Sequence, residues 1–428
     1  MKNKKLSTLF ILALLTASLS AQKTMTLDEA IKIALEKNYS LKIARNDQSI
    51  AENNVTWSPF LPTLAGTGRQ SQTTIMEAST ASPDNAKDVT NAYSAGLSLS
   101  WKLFDGFGMF ASYSRSSELL SMSNQKVKIE IENLVMSVCS EYYNIIVQQN
   151  RLESSLTSLA LSKLRYQNAE EKYLLGVISG LDLQQAKIDL NADSSTVLSE
   201  YEYVNSAYIR MAKLLNAGHE LSFNIRDSIV LAPQMNIDSL RKLTLEKNNQ
   251  LILSRQGVQL SEYDLQAVRA LRYPSINFSA GYNLIKNQYP LADSYYRSNG
   301  PTWGFSMSWN IFSGMETNRK IANAKLDNES SKLSYLDIEN EILGELDLLY
   351  NSYRNNITVT YFETESAEVA RKSLEIAMER YRLGSLSGLE FREYQNKYLD
   401  AINRRLTALY QAKVSEIGLR LLSGELSE

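Results

Sequence analysis

The chain says the same thing twice. Gly96-Leu-Ser-Leu-Ser-Trp-Lys-Leu-Phe-Asp-Gly106 returns as Gly304-Phe-Ser-Met-Ser-Trp-Asn-Ile-Phe-Ser-Gly314, a shift of 208 positions. Tyr173-Leu-Leu-Gly-Val-Ile-Ser-Gly-Leu-Asp182 returns as Tyr381-Arg-Leu-Gly-Ser-Leu-Ser-Gly-Leu-Glu390 at the same shift, and Leu35-Glu-Lys-Asn38 recurs as Leu245-Glu-Lys-Asn248, shifted by 210. Three blocks in one order at near-constant spacing mean that a whole structural unit is duplicated. The period lies far beyond the roughly 20 to 50 residues of solenoid repeats. Any fold of this chain is therefore built from two equivalent halves.

The halves span residues 22–216 and 237–428, joined by segment 217–236. Each opens with a short helical stretch (about 26–56 and 237–270) that stops before Pro62 or Pro274, since proline cannot continue a helix. Two strands follow in each, at about 62–76 and 93–104, then at about 275–287 and 301–312. In 301–312 Trp303, Phe305, Met307, Trp309 and Ile311 alternate with Gly304, Ser306, Ser308 and Asn310, a period of two with one greasy and one wet face. Residues 62–76 are weaker, blurred by Gly66 and Gly68, and are assigned by symmetry.

Gly106 and Gly314 mark a break, after which the period becomes helical. Val127, Ile131, Leu134, Val138, Tyr142, Ile145, Gln149, Leu152, Leu156 and Leu159 step by threes and fours, the seam of a coiled coil. Helices at about 110–173 and 181–216, and at about 316–381 and 389–422, form two hairpins turning at the Gly-x-x-Ser-Gly blocks. A helix over 110–173 is roughly 95 Å long at ~1.5 Å per residue. Cys139 falls in the apolar stripe as a small buried side chain.

The first 21 residues read as a cleavable secretory signal. Lys2, Lys4 and Lys5 precede a short apolar core, Leu9 to Leu15, and the small residues Ala17, Ser18, Ser20 and Ala21. Removing those three lysines takes the formal charge from −2 to −5, no footprint for nucleic acid. No later segment has 18 uninterrupted apolar residues, so no transmembrane helix is expected in the mature chain. Four strands are too few to enclose a pore. An open four-stranded sheet in lipid would strand unpaired backbone groups at its edges, and single-chain barrels begin at about eight strands. Two to four copies pooling strands into one barrel solve this. Trp101, Phe104, Trp303, Trp309 and Phe312 lie near strand ends, where membrane-interface aromatics belong. A soluble sandwich would pack the same aromatics inside.

The duplicated strand–strand–helix–helix order, the Trp-x-[Leu/Ile]-Phe-x-Gly blocks and the Tyr-x-x-Gly tip blocks resemble the TolC family of outer-membrane efflux proteins. The resemblance covers nearly the whole mature chain. It implies a homotrimer with a shared twelve-stranded β-barrel, outer-membrane lipid around it, and a long α-helical coiled-coil periplasmic tunnel. It also implies docking to a periplasmic adaptor (membrane fusion) protein, coupled to an inner-membrane pump of RND, ABC or MFS type. The adaptor-docking tips would be Leu175, Gly176, Ser179 and Gly180 with Leu383, Gly384, Ser387 and Gly388. Asp182 and Tyr381 match a family latch that closes the mouth. The position of a further latch arginine holds Leu386 instead, implying a weaker or differently built closure. Glu390 and Glu393 match acids that ring the pore constriction, where crowded carboxylates attract cations. Their bland reading is as solvated helix-start acids favoured by the helix dipole. For Tyr381 it is packing, and for the glycines a tight turn.

Nothing points to an enzyme, a cofactor or a metal centre. His219 is the one histidine, which excludes His-paired nucleophiles and multi-His metal sites, and no Gly-x-x-x-x-Gly-Lys-[Ser/Thr] loop exists. Two competing readings are a periplasmic adaptor, expected to show one hairpin rather than two, and a coiled-coil scaffold, which needs no alternating strands.

Overall fold

The duplication is visible in the element order. The computed structural model describes residues 24–79, 82–218, 223–290 and 293–426, so the signal segment 1–21 and His219 lie outside the described residues. The first half runs α1 (Leu27–Lys37), α2 (Tyr39–Asn54), β1 (Thr63–Ser79), β2 (Ser82–Phe104), α3 (Gly108–Leu174) and α4 (Gly180–Leu214). The second runs α5 (Ile237–Lys247), α6 (Asn249–Ala270), β3 (Ser275–Tyr289), β4 (Ser294–Ser308), α7 (Glu316–Arg382) and α8 (Gly388–Leu422). The long helices α3 and α7 each have 67 residues, and the return helices α4 and α8 each have 35. Left-handed backbone also recurs at the 208-residue shift, at Gly106 and Gly314, Phe107 and Met315, and Gly176 and Gly384.

Spatially the chain divides into two compact units, each drawing on both repeats. Among the described residues, one takes those within 24–45, 126–252 and 338–426; the other takes those within 46–125 and 253–337. In the first, Val138, Ile145 and Met211 are fully buried, and so are their repeat partners Leu346, Tyr353 and Leu419. Ala30, Ala34 and Leu41 of α1 and α2 complete the first-repeat core, together with Phe223 and Ile225 of the inter-repeat segment. That segment is tied down further along by fully buried Glu416, whose carboxylate accepts from the Ala232 amide at 3.0 Å and from Lys413 at 3.0 Å. Asn38 and Asn248 donate to the last carbonyls of α4 and α8, Leu214 and Leu422, at 3.1 and 3.0 Å. Cys139 is buried, and desolvation pushes its thiol up to about 11, so it stays protonated.

The second unit holds one antiparallel sheet in the order β1-β2-β3-β4. Directly paired residues share a face. One face carries the rows Trp101–Phe278–Phe305, Leu64–Leu99–Ala280–Trp303, Gly66–Leu97–Tyr282–Pro301 and Gly68–Ala95–Leu284–Asn299. The other carries Thr63–Ser100–Ser279–Gly304, Ala65–Ser98–Gly281–Thr302 and Thr67–Gly96–Asn283–Gly300. In these rows one face is thus almost wholly apolar and the other carries only small and polar residues, yet the apolar one is bare. Leu64 is 71% exposed, Trp303 75% and Phe305 67%. An exposed apolar surface of this extent has to meet something other than water.

Strand limits differ from the alternation in one systematic way. β2 begins at Ser82 rather than near 93, and β4 at Ser294 rather than near 301. Backbone pairing needs no apolar side chain, so the alternation marks the greasy band of the sheet, while the hydrogen-bonded hairpins run past it through Asn91, Gln288 and Arg297. At the other end β4 stops at Ser308, not 312, because β3 begins only after Pro274 and offers no partner beyond Ser275. Trp309 and Phe312 therefore sit in the turn leading to α7. The Trp309 indole donates to the Arg272 carbonyl at 3.1 Å, and its repeat partner Trp101 donates to the Phe60 carbonyl at 2.9 Å. Phe104 packs edge-on against Phe107 at 5.4 Å.

Candidate gate at the helical turns

Both hairpins turn through the same backbone device. α3 ends with the Gly176 amide bonded to the Tyr173 carbonyl (2.9 Å) and the Val177 amide to the Lys172 carbonyl (2.9 Å). α7 ends with Gly384 to Tyr381 (3.1 Å) and Ser385 to Arg380 (2.9 Å). This paired closure needs a residue in the left-handed region, and Gly176 (φ +72°) and Gly384 (φ +76°) supply it. Three residues later each return helix starts on a capping box. The Ser179 hydroxyl accepts from the Asp182 amide while the Asp182 carboxylate accepts from the Ser179 amide at 3.2 Å. Ser387 and Glu390 repeat it, with the Ser387 amide 2.9 Å from the Glu390 carboxylate. The turns leave Leu175 and Leu383 about four-fifths exposed, at 77% and 81%.

The residues singled out in the sequence have these surroundings at the turns. Asp182 and Glu390 spend their carboxylates on capping their own helices, and bonds from the Ser387 amide and hydroxyl hold the Glu390 carboxyl below the usual range. Glu393 lies one turn on, paired with Lys397 at 2.6 Å on the helix surface. Tyr381 stacks on Phe391 with centroids 5.1 Å apart, beneath the Lys172 ammonium at 5.4 Å; burial pushes its phenol up. Leu386, at the position of the absent arginine, joins Tyr381 and Phe391 in the same apolar cluster. Asp182 and Tyr381 both line one cavity of about 590 Å³ between the two turns, together with Arg165, Asp189 and Gly388.

Beside that cavity lies a feature that apolar periodicity does not reveal. Towards its turn, the buried seam of α3 changes character to Ser155, Ser158, Ser162, Arg165 and Ala169, still stepping by threes and fours. Against it α4 brings Asp189 and Asp193, and α8 brings Arg392 and Gln395. Arg392 grips Asp193 with two bonds of 2.6 and 2.7 Å. Fully buried Gln395 donates to the Ser158 carbonyl at 2.9 Å and to Asp193 at 3.1 Å. Arg165 pairs with Asp189 and reaches the Gly388 carbonyl at 3.2 Å. Burial alone would raise the Asp193 carboxyl; bonds from Arg392 and Ser162 outweigh it and hold the group below its ordinary value. Three helices are thus cross-linked by charge immediately next to both turns. The sequence signal available was the small-residue 3–4 spacing in α3, combined with positions where the repeats disagree in charge. Arg392 stands opposite Gln184, and Asp189 opposite Lys397, at the 208 shift.

Known proteins share this chain's fold and, more weakly, its sequence. The chain is 21% identical over 421 residues to the probable efflux pump outer membrane protein TtgC of Pseudomonas putida, spanning 92% of this chain and 81% of that protein. Its fold matches the CmeC outer membrane channel of Campylobacter jejuni with a TM-score of 0.80 at 17% identity, over 95% of this chain and 90% of the other. It also matches the open state of the MtrE outer membrane channel of Neisseria gonorrhoeae, with a TM-score of 0.72 at 17% identity over 94% and 89%. A profile of the outer membrane efflux protein family matches residues 30–217 and again residues 240–425, once per repeat. The chain belongs to the outer membrane efflux protein family.

Proposed function

We propose that this protein is the outer-membrane duct of a tripartite efflux or type I secretion assembly, a passive trimer that carries solutes from a periplasmic adaptor and inner-membrane pump to the outside. The observation that carries the reading is the sheet. It has a bare apolar face, a polar face, and two edges, β1 and β4, without strand partners among the described residues. In lipid those edges demand closure. Three copies in a ring pair β4 of one with β1 of the next and enclose twelve strands, polar face inward. A cleaved signal peptide exports the chain, and the helical hairpins then form the wall of a water-filled periplasmic tunnel.

The turns are the mouth of that tunnel. Leu175, Gly176, Ser179 and Gly180 with Leu383, Gly384, Ser387 and Gly388 meet the adaptor, and the exposure of both leucines suits an apolar contact. Asp182 and Tyr381 form the latch, a reading supported by the cavity they share. Glu390 and Glu393 ring the constriction, six carboxylates in the trimer, and attract cations there. An adaptor or scaffold reading gives no account of a sheet with one bare apolar face. Membrane fractionation with planar-bilayer recording tests the proposal. The expected result is an outer-membrane protein that opens ion-conducting pores; a protein in the soluble fraction without conductance would refute it.

A further inference from the structure

One row of the sheet breaks a rule that the rest obeys. Lys286 of β3 stands directly opposite Arg297 of β4, and Tyr93 of β2 and Gln70 of β1 complete the row. Like charges directly opposed across an antiparallel pair destabilise it. Neither neighbouring row on that face carries an acid to offset them. The row on one side is Gly68–Ala95–Leu284–Asn299, and on the other Gln72–Asn91–Gln288–Tyr295. Both bases are exposed, and they lie on the apolar face rather than the polar one.

Their height on the sheet is as telling as their pairing. The apolar band starts where Ile276 pairs with Met307, and ten residues along β4 separate Met307 from Arg297. At ~3.3 Å per residue that is roughly 33 Å along the strand. Tilted by about 40°, as strands in such barrels are, it spans about 25 Å, the height of the apolar band of an outer-membrane barrel. Trp101, Phe305 and Trp303 lie at the end of the band nearest the helices, and the Lys286–Arg297 row lies at the far end, towards the hairpin tips.

We infer that Lys286 and Arg297, held side by side at the outer rim of the apolar face, bind the phosphate of an anionic outer-leaflet lipid headgroup. This rests on the sheet being a lipid-embedded wall, as proposed above. The pairing of a planar guanidinium with an ammonium suits a phosphate monoester, which accepts two bonds from the first and a point-charge contact from the second. Tyr93 beside Lys286 and exposed Tyr295 one row further out supply amphipathic rings at the headgroup level. The alkyl stems of both bases lie along the acyl chains and raise their charged ends to the headgroups. The phosphate also removes the repulsion that the opposed cations would otherwise suffer, so lipid and strand pairing stabilise each other.

The test uses the full-length protein, purified in detergent and titrated in native mass spectrometry with a bis-phosphorylated lipid A and, separately, with phosphatidylcholine. Lys286→Gln/Arg297→Gln should weaken retention of the phosphorylated lipid roughly tenfold or more and leave phosphatidylcholine unchanged. Arg69→Gln removes one cation from the opposite, polar face and should change neither. Equal retention by the wild type and the double variant, or an equal loss in Arg69→Gln, would overturn the inference. Outer-membrane fractionation of the same variants separates the two claims. A protein that inserts normally yet shows no preference for the phosphorylated lipid defeats only this inference, whereas one that never enters the membrane defeats the duct as well.

Discussion

Arg392→Met is the sharpest probe of how the helices are held beside the turns. The change removes the two bonds of 2.6 and 2.7 Å from Asp193, a side chain only 7% exposed. Ser158, Ser162 and Gln395 remain as donors, but the charge is left uncompensated. Breaking a buried pair by removing one partner costs about 3–5 kcal/mol, whereas replacing both partners by apolar groups of similar volume is often close to neutral. The variant should therefore lose several degrees in thermal unfolding, followed by circular dichroism in detergent. Arg392→Met/Asp193→Leu should recover most of the loss, giving a large coupling in the double-mutant cycle. The acid limb adds an independent sign. In the wild type Asp193 is held below its ordinary value of 3.8. Its stabilisation is fully present above that value and fades as the pH falls through the lower folded value. Without Arg392, burial dominates and lifts the carboxyl, so the buried group begins to take up a proton at higher pH and the pH profile moves upward. A single variant as stable as the wild type, or a double variant at least as damaged as the single, would refute the reasoning.

The remaining predictions concern the turns and the mouth. Gly384→Ala meets no neighbour at its Cβ and should cost only the left-handed strain, about 1–2 kcal/mol, while Gly106→Ala also drives a Cβ to 2.5 Å from the Ala270 carbonyl and should unfold at a clearly lower temperature. Asp182→Ala with Tyr381→Phe should raise single-channel conductance in planar bilayers; Ser179→Ala, which breaks the same capping box but leaves the Asp182 carboxylate and the Tyr381 phenol in place, should not. Glu390→Ala with Glu393→Ala should weaken block by divalent cations, and undiminished block would remove both from the constriction.

Much of this fold was legible because it is written twice. Tandem blocks at Gly96 and Gly304 and at Tyr173 and Tyr381 carry the backbone's special demands, left-handed glycines and helix caps, which are local and leave local signatures. The strand hairpins were legible only where a face had to be greasy. Past Tyr93 and Lys286 the pairing continues on backbone bonds alone, and side-chain alternation says nothing about it. The charged cluster was missed for a third reason. Arg165, Asp189, Asp193 and Arg392 look like solvated helix faces one at a time, and their burial arises only where helices some 200 residues apart in sequence converge. The acids singled out by resemblance, Glu390 and Glu393, bracket the arginine that does the cross-linking.

Subunit stoichiometry bears most directly on the whole account, because a sheet with two open edges in this chain has to be closed by copies of itself. Native mass spectrometry or mass photometry of the detergent-purified protein from outer membranes should give a complex of three chains that heat dissociates to one. A stable single chain with its apolar sheet face in water, or a complex of another number, would contradict it.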